Sequence, residues 1–150
     1  MYMICLTPDS AFLISGSVDN TAIIWDVQKG KTQTILHDHK GFVQGVAWDP
    51  CNKMIATLCT DRYFRVFDAK TKKVISRCNK GELPVPKDHI LAEKSIRLFH
   101  DDTLQSFFRR LSFSPDASLI VVPSGVAQLE GSNVKPLNTT YIYSRHALKK

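Results

Sequence analysis

The sequence predicts an all-β protein assembled from about three copies of one four-stranded unit. Three observations predict it. Landmark residues recur at a single spacing: Trp25 and Phe67, Asp19 and Asp61, and Pro8 and Pro50 are each 42 residues apart. The stretches between turn residues are short and rich in Val, Ile, Phe, Tyr and Thr, the types that favour strands. No helix longer than a turn or two is expected, the one candidate being 88–94.

The elements follow in order. The first unit, 1–38, opens inside a strand that ends at Thr7-Pro8-Asp9. It continues through Ser15, turns at Asp19, and closes its third strand, 22–25, on Trp25-Asp26. The second unit, 39–80, repeats this with strands expected at 43–48, 55–58, 64–67 and 73–77. Next, 81–99 is polar and carries Pro84 and Pro86, so it reads as a connecting loop. The third unit, 100–150, is irregular. His100 lies 15 residues before Pro115, whereas His39 lies 11 before Pro50. A turn is expected at Ser124-Gly125, an insertion at about 125–138, and a third strand in "TTYIYS".

A period of about 40–45 residues with four short strands and a Trp-Asp ending is the signature of a WD-repeat propeller blade. Resemblance to such repeats assigns a buried hydrogen-bond chain to a His before the first strand, a Ser or Thr in the second, the turn Asp and the Trp. It implies these roles for Ser15, Asp19 and Trp25 in the first unit and for His39, Thr57 and Asp61 in the second. Phe67 replaces the Trp there, so that chain is one bond short. Buried polar groups need partners, and a satisfied network stiffens the blade. The fold expected is therefore a partial WD-repeat β-propeller, about three blades of a ring of about seven. Three blades leave an open face at each end, so the sequence reads as a fragment of a longer protein.

Composition narrows the function. The 150 residues are 43% hydrophobic and 23% charged, ordinary for one globular domain. The net charge of +6 is spread among interspersed acids. This argues against a polybasic arm and against direct DNA binding. Lys70, Lys72, Lys73 and Lys80 read as a solvated edge that discourages strand pairing. No apolar run approaches the roughly 20 residues of a spanning helix, so no membrane partner is expected. The start lacks a basic leader and a cleavage site, which rules against a signal peptide. Cys5, Cys51, Cys59 and Cys78 lack C-x-x-C spacing and read as reduced thiols. Asn138-Thr139-Thr140 is then a chance glycosylation match. No nucleophile elbow, phosphate loop or zinc-protease motif is present. His37 and His39 would share one strand face but lack a third ligand. The chain is read as no enzyme, with no metal and no cofactor.

The irregular third unit is the most specific stretch. "LFHDDTLQSFFRRLSFSPDASLIVVPSG", followed by "NTTYIYSRHALKK", resembles the middle, WD-repeat subunit of chromatin assembly factor 1. "SVDNTAIIWDV" and "FVQGVAWDP" add to the resemblance, which covers nearly the whole chain. HIR-type histone chaperones share the Arg-Leu-Ser and Ser-Pro-Asp core. The resemblance implies a non-enzymatic, nuclear histone-chaperone subunit. Its propeller would bind the complex's large subunit and help deposit histones three and four on replicated or repaired DNA. A further histone chaperone is a partner only through a C-terminal segment absent here. The alternatives are a replication-independent HIR-type chaperone and a generic WD adaptor such as a ubiquitin-ligase substrate receptor.

Arg109 and Arg110 stand at the entry of a strand whose Leu111 and Phe113 belong to the core. Two explanations stay open: pairing with Asp101 or Asp102, or a rim contact to a partner's carboxylates. The candidate contact surface comprises His100, Asp101, Asp102, Phe107, Phe108, Arg109 and Arg110.

Overall fold

The computed structural model describes residues 3–106, 108–129 and 135–149. Strands β1 (Met3–Leu6), β2 (Phe12–Gly16), β3 (Ala22–Asp26) and β4 (Lys31–Leu36) form one antiparallel sheet in chain order. Strands β5 (Val43–Trp48), β6 (Met54–Cys59), β7 (Phe64–Asp68) and β8 (Val74–Cys78) form a second of the same design.

The backbone itself repeats. Ser10, Asn52 and Ala117, each two residues after a Pro, adopt left-handed φ of 57°, 56° and 59°. Asn20 and Arg62, each after the turn Asp, do so at 68° and 69°, and Gly30 and Lys72 at 60° and 61°. The hairpin turns of the two regular blades therefore bend by the same device, and the third blade shares the first of them.

The third sheet contains β9 (Lys80–Gly81), β10 (Ile96–Phe99), β11 (Ser112–Phe113), β12 (Leu119–Leu129) and β13 (Leu137–Ser144). β11 pairs with the start of β12, at Ile120 and Val121, and β10 with its far part, at Gly125 to Leu129. β13 runs along the opposite edge of β12. Three expectations are corrected. The segment 81–99 is not all loop: it holds β10, whose Ile96 and Phe99 are fully buried. The one helix candidate, 88–94, is a series of turns. Ser124-Gly125 is no hairpin turn but a bulge within β12, where the register to β13 shifts and Ser124 takes a φ of 59°. A Cβ on Gly125 would fall 2.8 Å from the Thr139 carbonyl oxygen, so the close approach requires glycine. The described ends of the expected insertion are thus strand.

The blades stack face to face. Strand residues alternate between faces, and the middle blade uses both. Val46, Trp48, Ile55 and Phe67 pack with Ile14, Ile24 and Leu36 of the first blade. Ala47, Ala56, Leu58, Phe64 and Val66 pack with Phe99, Leu111, Ile120 and Val122 of the third. β5 and β6 are accordingly buried at every position, whereas β13 is never fully buried. Main-chain bonds cross between blades, from Val43 N–H to the Ser17 carbonyl (3.0 Å) and from Arg109 N–H to the Gln44 carbonyl (3.1 Å). After β13 a 3₁₀ helix, Arg145–Lys149, folds back against β8 with Leu148 buried.

Candidate functional site

The first blade contains half of the expected network. Trp25 Nε1 donates to Ser15 Oγ at 2.8 Å. Asp19 stays in its own exposed turn, where Oδ1 accepts from Thr21 N–H (3.0 Å) and Thr21 Oγ1 (2.6 Å).

The second blade joins His39 Nε2 to Thr57 Oγ1 at 2.9 Å, both side chains being buried. Phe67, in the tryptophan position, lays its ring 5.8 Å from the imidazole. Asp61 does not join them, contrary to expectation. Its two oxygens accept from Arg65 Nη1 and Nη2 at 3.0 and 2.6 Å, and from the main-chain N–H groups of Lys40 (2.9 Å) and Tyr63 (3.0 Å). A bidentate guanidinium is the stronger partner. His39 Nδ1 is left without a hydrogen bond of sound geometry, the Leu36 carbonyl exerting only a minor pull on its proton. Burial, and then the Arg65 charge, lower the His39 pKa to about 4. Burial also raises the Cys59 thiol to about 12, so it is an inert side chain.

Residues 100–106 and 108–110 lie over the end of the middle blade that carries the β6–β7 turn, here called the upper rim. Arg109 is fully buried. Its guanidinium donates to the main-chain carbonyls of His100, Asp101 and Cys59, not to a carboxylate. This corrects both sequence explanations: Arg109 is neither paired with an acid side chain nor presented at the rim. Three carbonyls converging on one guanidinium spread the charge that a single acid would neutralise. The Asp101 carboxylate instead pairs with Arg62 of the β6–β7 turn. Burial works against that charge, but Thr103 and Arg62 hold the pKa down at about 2. His100 Nε2 lies 2.9 Å from Asn138 Oδ1, tying the loop to β13. Asp102 is exposed. Phe108 is 44% exposed, with the Arg110 guanidinium stacked 4.8 Å from its ring centre. Phe107 lies outside the described residues.

Two functional-looking residues escaped sequence reasoning. Arg65 sits in "RYFRVFD", and the only clue was an Arg at an inward strand position four residues after an Asp. Arg145 bonds Asp49 with both amino groups, at 3.0 and 2.6 Å, and locks the 3₁₀ helix onto the β5–β6 turn. Asp49 is fully buried. Burial pushes its carboxyl up, but Arg145 and the N–H groups of Cys51 and Lys53 outweigh this and lower the pKa. No local signal links residues so far apart in the chain. Among the described residues no group of three or more His, Cys, Asp or Glu is placed to hold a metal ion, and no helix is long and apolar enough to cross a membrane.

Stacked four-stranded blades, with a His–Thr or Trp–Ser bond inside each regular one, define a WD-repeat propeller scaffold. The whole chain, residues 1–150, matches the family model of the CAF1B/HIR1 beta-propeller domain, and the chain belongs to that family. It is 48% identical over 150 residues to a subunit of chromatin assembly factor 1 from Gallus gallus, a match that covers all of this chain and 26% of that protein. It is 46% identical over 153 residues to the same subunit from Mus musculus, covering 100% of this chain and 25% of the relative. Protein HIR1 of Eremothecium gossypii is 34% identical over 143 residues, 95% of this chain and 15% of that protein. The chain thus spans about a quarter of the length of the two chromatin assembly factor relatives.

Proposed function

We propose that this chain is the propeller platform of a nuclear histone chaperone that assembles nucleosomes on replicated or repaired DNA. It binds the large subunit of chromatin assembly factor 1 and helps handle histones three and four, without catalysis of its own. The single observation that carries this reading is the match at 48% identity along the entire chain to a protein named as a chromatin assembly factor subunit, against 34% for a HIR1 protein. The geometry supports a docking role. Polar groups of the upper rim anchor Asp101 and Arg109, and Phe108 with Arg110 faces outward beside them. An exposed aromatic ring with a stacked arginine is the composition of an interface hot spot. His100, Asp101 and Asp102 position or flank that pair.

The test is affinity capture of the tagged chain from nuclear extract of dividing cells, with partners identified by mass spectrometry. The expected result is recovery of the large subunit and of histones three and four, with recovery reduced by the Phe108→Ala/Arg110→Ala double variant. Recovery of a HIR-type complex or of ubiquitin-ligase components in their place would replace this reading with one of those two.

A further inference from the structure

A cleft of about 440 Å³ lies on the upper rim of the middle blade, walled by the segment 37–40, Tyr63, Arg65 and Arg77. Arg65 on β7 and Arg77 on β8 are direct cross-strand partners. Like charges directly opposite each other destabilise a sheet. The corresponding pair in the first blade, in the same register, is Ile23 and Ile35. The first blade thus fills the same two positions without charge. Tyr63 likewise stands where the first blade has Thr21, 42 residues earlier.

Each arginine is held by its own carboxylate, Arg65 by Asp61 and Arg77 by Asp38 at 2.7 Å. Arg65 is also stacked on Tyr63, 4.8 Å from the ring centre. Donor capacity is still left over. Arg65 is 3% exposed and His39 is 6% exposed, both line the cleft, and among the described residues Arg65 Nε is buried without a hydrogen-bond partner and His39 Nδ1 without a hydrogen bond of sound geometry. A buried N–H left unbonded is costly. Lys40 stands beside the opening. Arg65, Arg77 and Lys40 set three positive charges against Asp38 and Asp61, leaving one in excess.

We propose that this cleft is a binding site for a carboxylate side chain, presented by an acidic segment of a partner polypeptide. One excess positive charge suits one carboxylate, and planar guanidinium groups are the side chains best shaped to grip it. Asp38 is engaged by Arg77, and one excess charge is little to hold a phosphodiester chain, which carries a negative charge at every linkage. The inference stands apart from the proposed chaperone role, because no chaperone subunit enters its test.

The experiment titrates the 150-residue chain with a fluorescent, end-blocked peptide of alternating Glu and Gly, read by anisotropy. The Gln-for-Glu peptide is the control, and inorganic phosphate and a short DNA duplex are competitors. Arg77 is 53% exposed, so Arg77→Ala tests the site without emptying the core, and Lys40→Ala is a second such variant. Circular dichroism melts confirm that both fold. The expected result is binding of the Glu peptide only, weakened by added salt and by about tenfold or more in Arg77→Ala. Equal binding of the Glu and Gln peptides, or unchanged affinity in both variants, overturns the proposal. So does displacement of the peptide by phosphate or the duplex at lower concentration than by unlabelled Glu peptide, since the site would then be one for phosphate.

Discussion

Arg109 and Arg110 are adjacent in sequence and end in opposite surroundings. Arg109 donates to three main-chain carbonyls inside the protein, whereas Arg110 lies over an exposed ring. Arg109→Ala takes the guanidinium donor from the His100 carbonyl, leaves those of Cys59 and Asp101 with only the main-chain N–H groups of Arg62 and Leu104, and removes a fully buried side chain. A loss of about 3 kcal/mol or more is expected in urea denaturation, against about 0.5 kcal/mol or less for Arg110→Ala. Equal losses would show that the burial of Arg109 is energetically idle. His39 makes a second residue-level prediction. Its folded pKa of about 4 lies below the ordinary 6.5, so between those values the unfolded chain binds more protons than the folded one. The contribution of this group is complete above about pH 6.5 and is lost as pH falls toward 4, by up to about 3 kcal/mol. Melts between pH 7 and pH 4 are expected to show that slope in the wild type and its flattening in His39→Gln. A slope that persists unchanged would assign it to other groups.

Between elements, the closest approach is made through glycine. A Cβ on Gly45 of β5 would collide with the backbone carbonyl of Arg109 and press on Leu111, and one on Gly16 of β2 would fall 2.7 Å from the Val43 carbonyl oxygen. Backbone cannot yield as a flexible side chain can, so Gly45→Ala is expected to cost about 1–3 kcal/mol by overpacking. Gly30→Ala meets no neighbour and bears only the cost of its left-handed φ, about 1–2 kcal/mol. Thermal melts of the two variants separate packing from conformation. The same elements show where the sequence was legible. The regular blades could be read because their information is local: alternating strands, turn residues in left-handed positions, and one repeated spacing. β10 and the extension of β12 could not, because Ile96 pairs with Leu129 across an intervening strand and loop, and neither segment contains a sign of the other. Ser15 and Trp25, and His39 and Thr57, lie within hydrogen-bond reach of each other at positions that the repeat marks in the sequence. Asp61 and Arg109 were misread because their partners, Arg65 and a set of carbonyls, follow from three-dimensional packing alone.

At the scale of the molecule, each blade meets only its neighbours, so stability is a sum of blade terms and interface terms. The middle blade has an interface on both faces, and the outer two have one each among the described residues. β6 is buried throughout and hydrogen-bonded on both edges, whereas β4 exposes four of its six residues, β13 has no buried residue, and each pairs along one edge among the described residues. Hydrogen exchange is therefore expected to be slowest in β5, β6 and β7 and faster in β4 and β13, since exposed edges open locally before the whole structure does. The Asp49–Arg145 pair gives this picture a sharper form. It is the ionic link between the β5–β6 turn and the segment that follows β13. Removing Arg145 leaves the buried Asp49 carboxylate with main-chain partners alone. In Arg145→Ala, protection is expected to fall in β11, β12 and β13 and to hold in β2 and β3, because the first blade's interface with β5 is untouched. If protection falls equally in all three sheets, the stack opens as one cooperative unit and the nearest-neighbour description is wrong. If it falls nowhere, the buried pair only offsets its own desolvation, and the apolar contacts of Leu111, Ile120 and Leu148 hold the third blade in place by themselves.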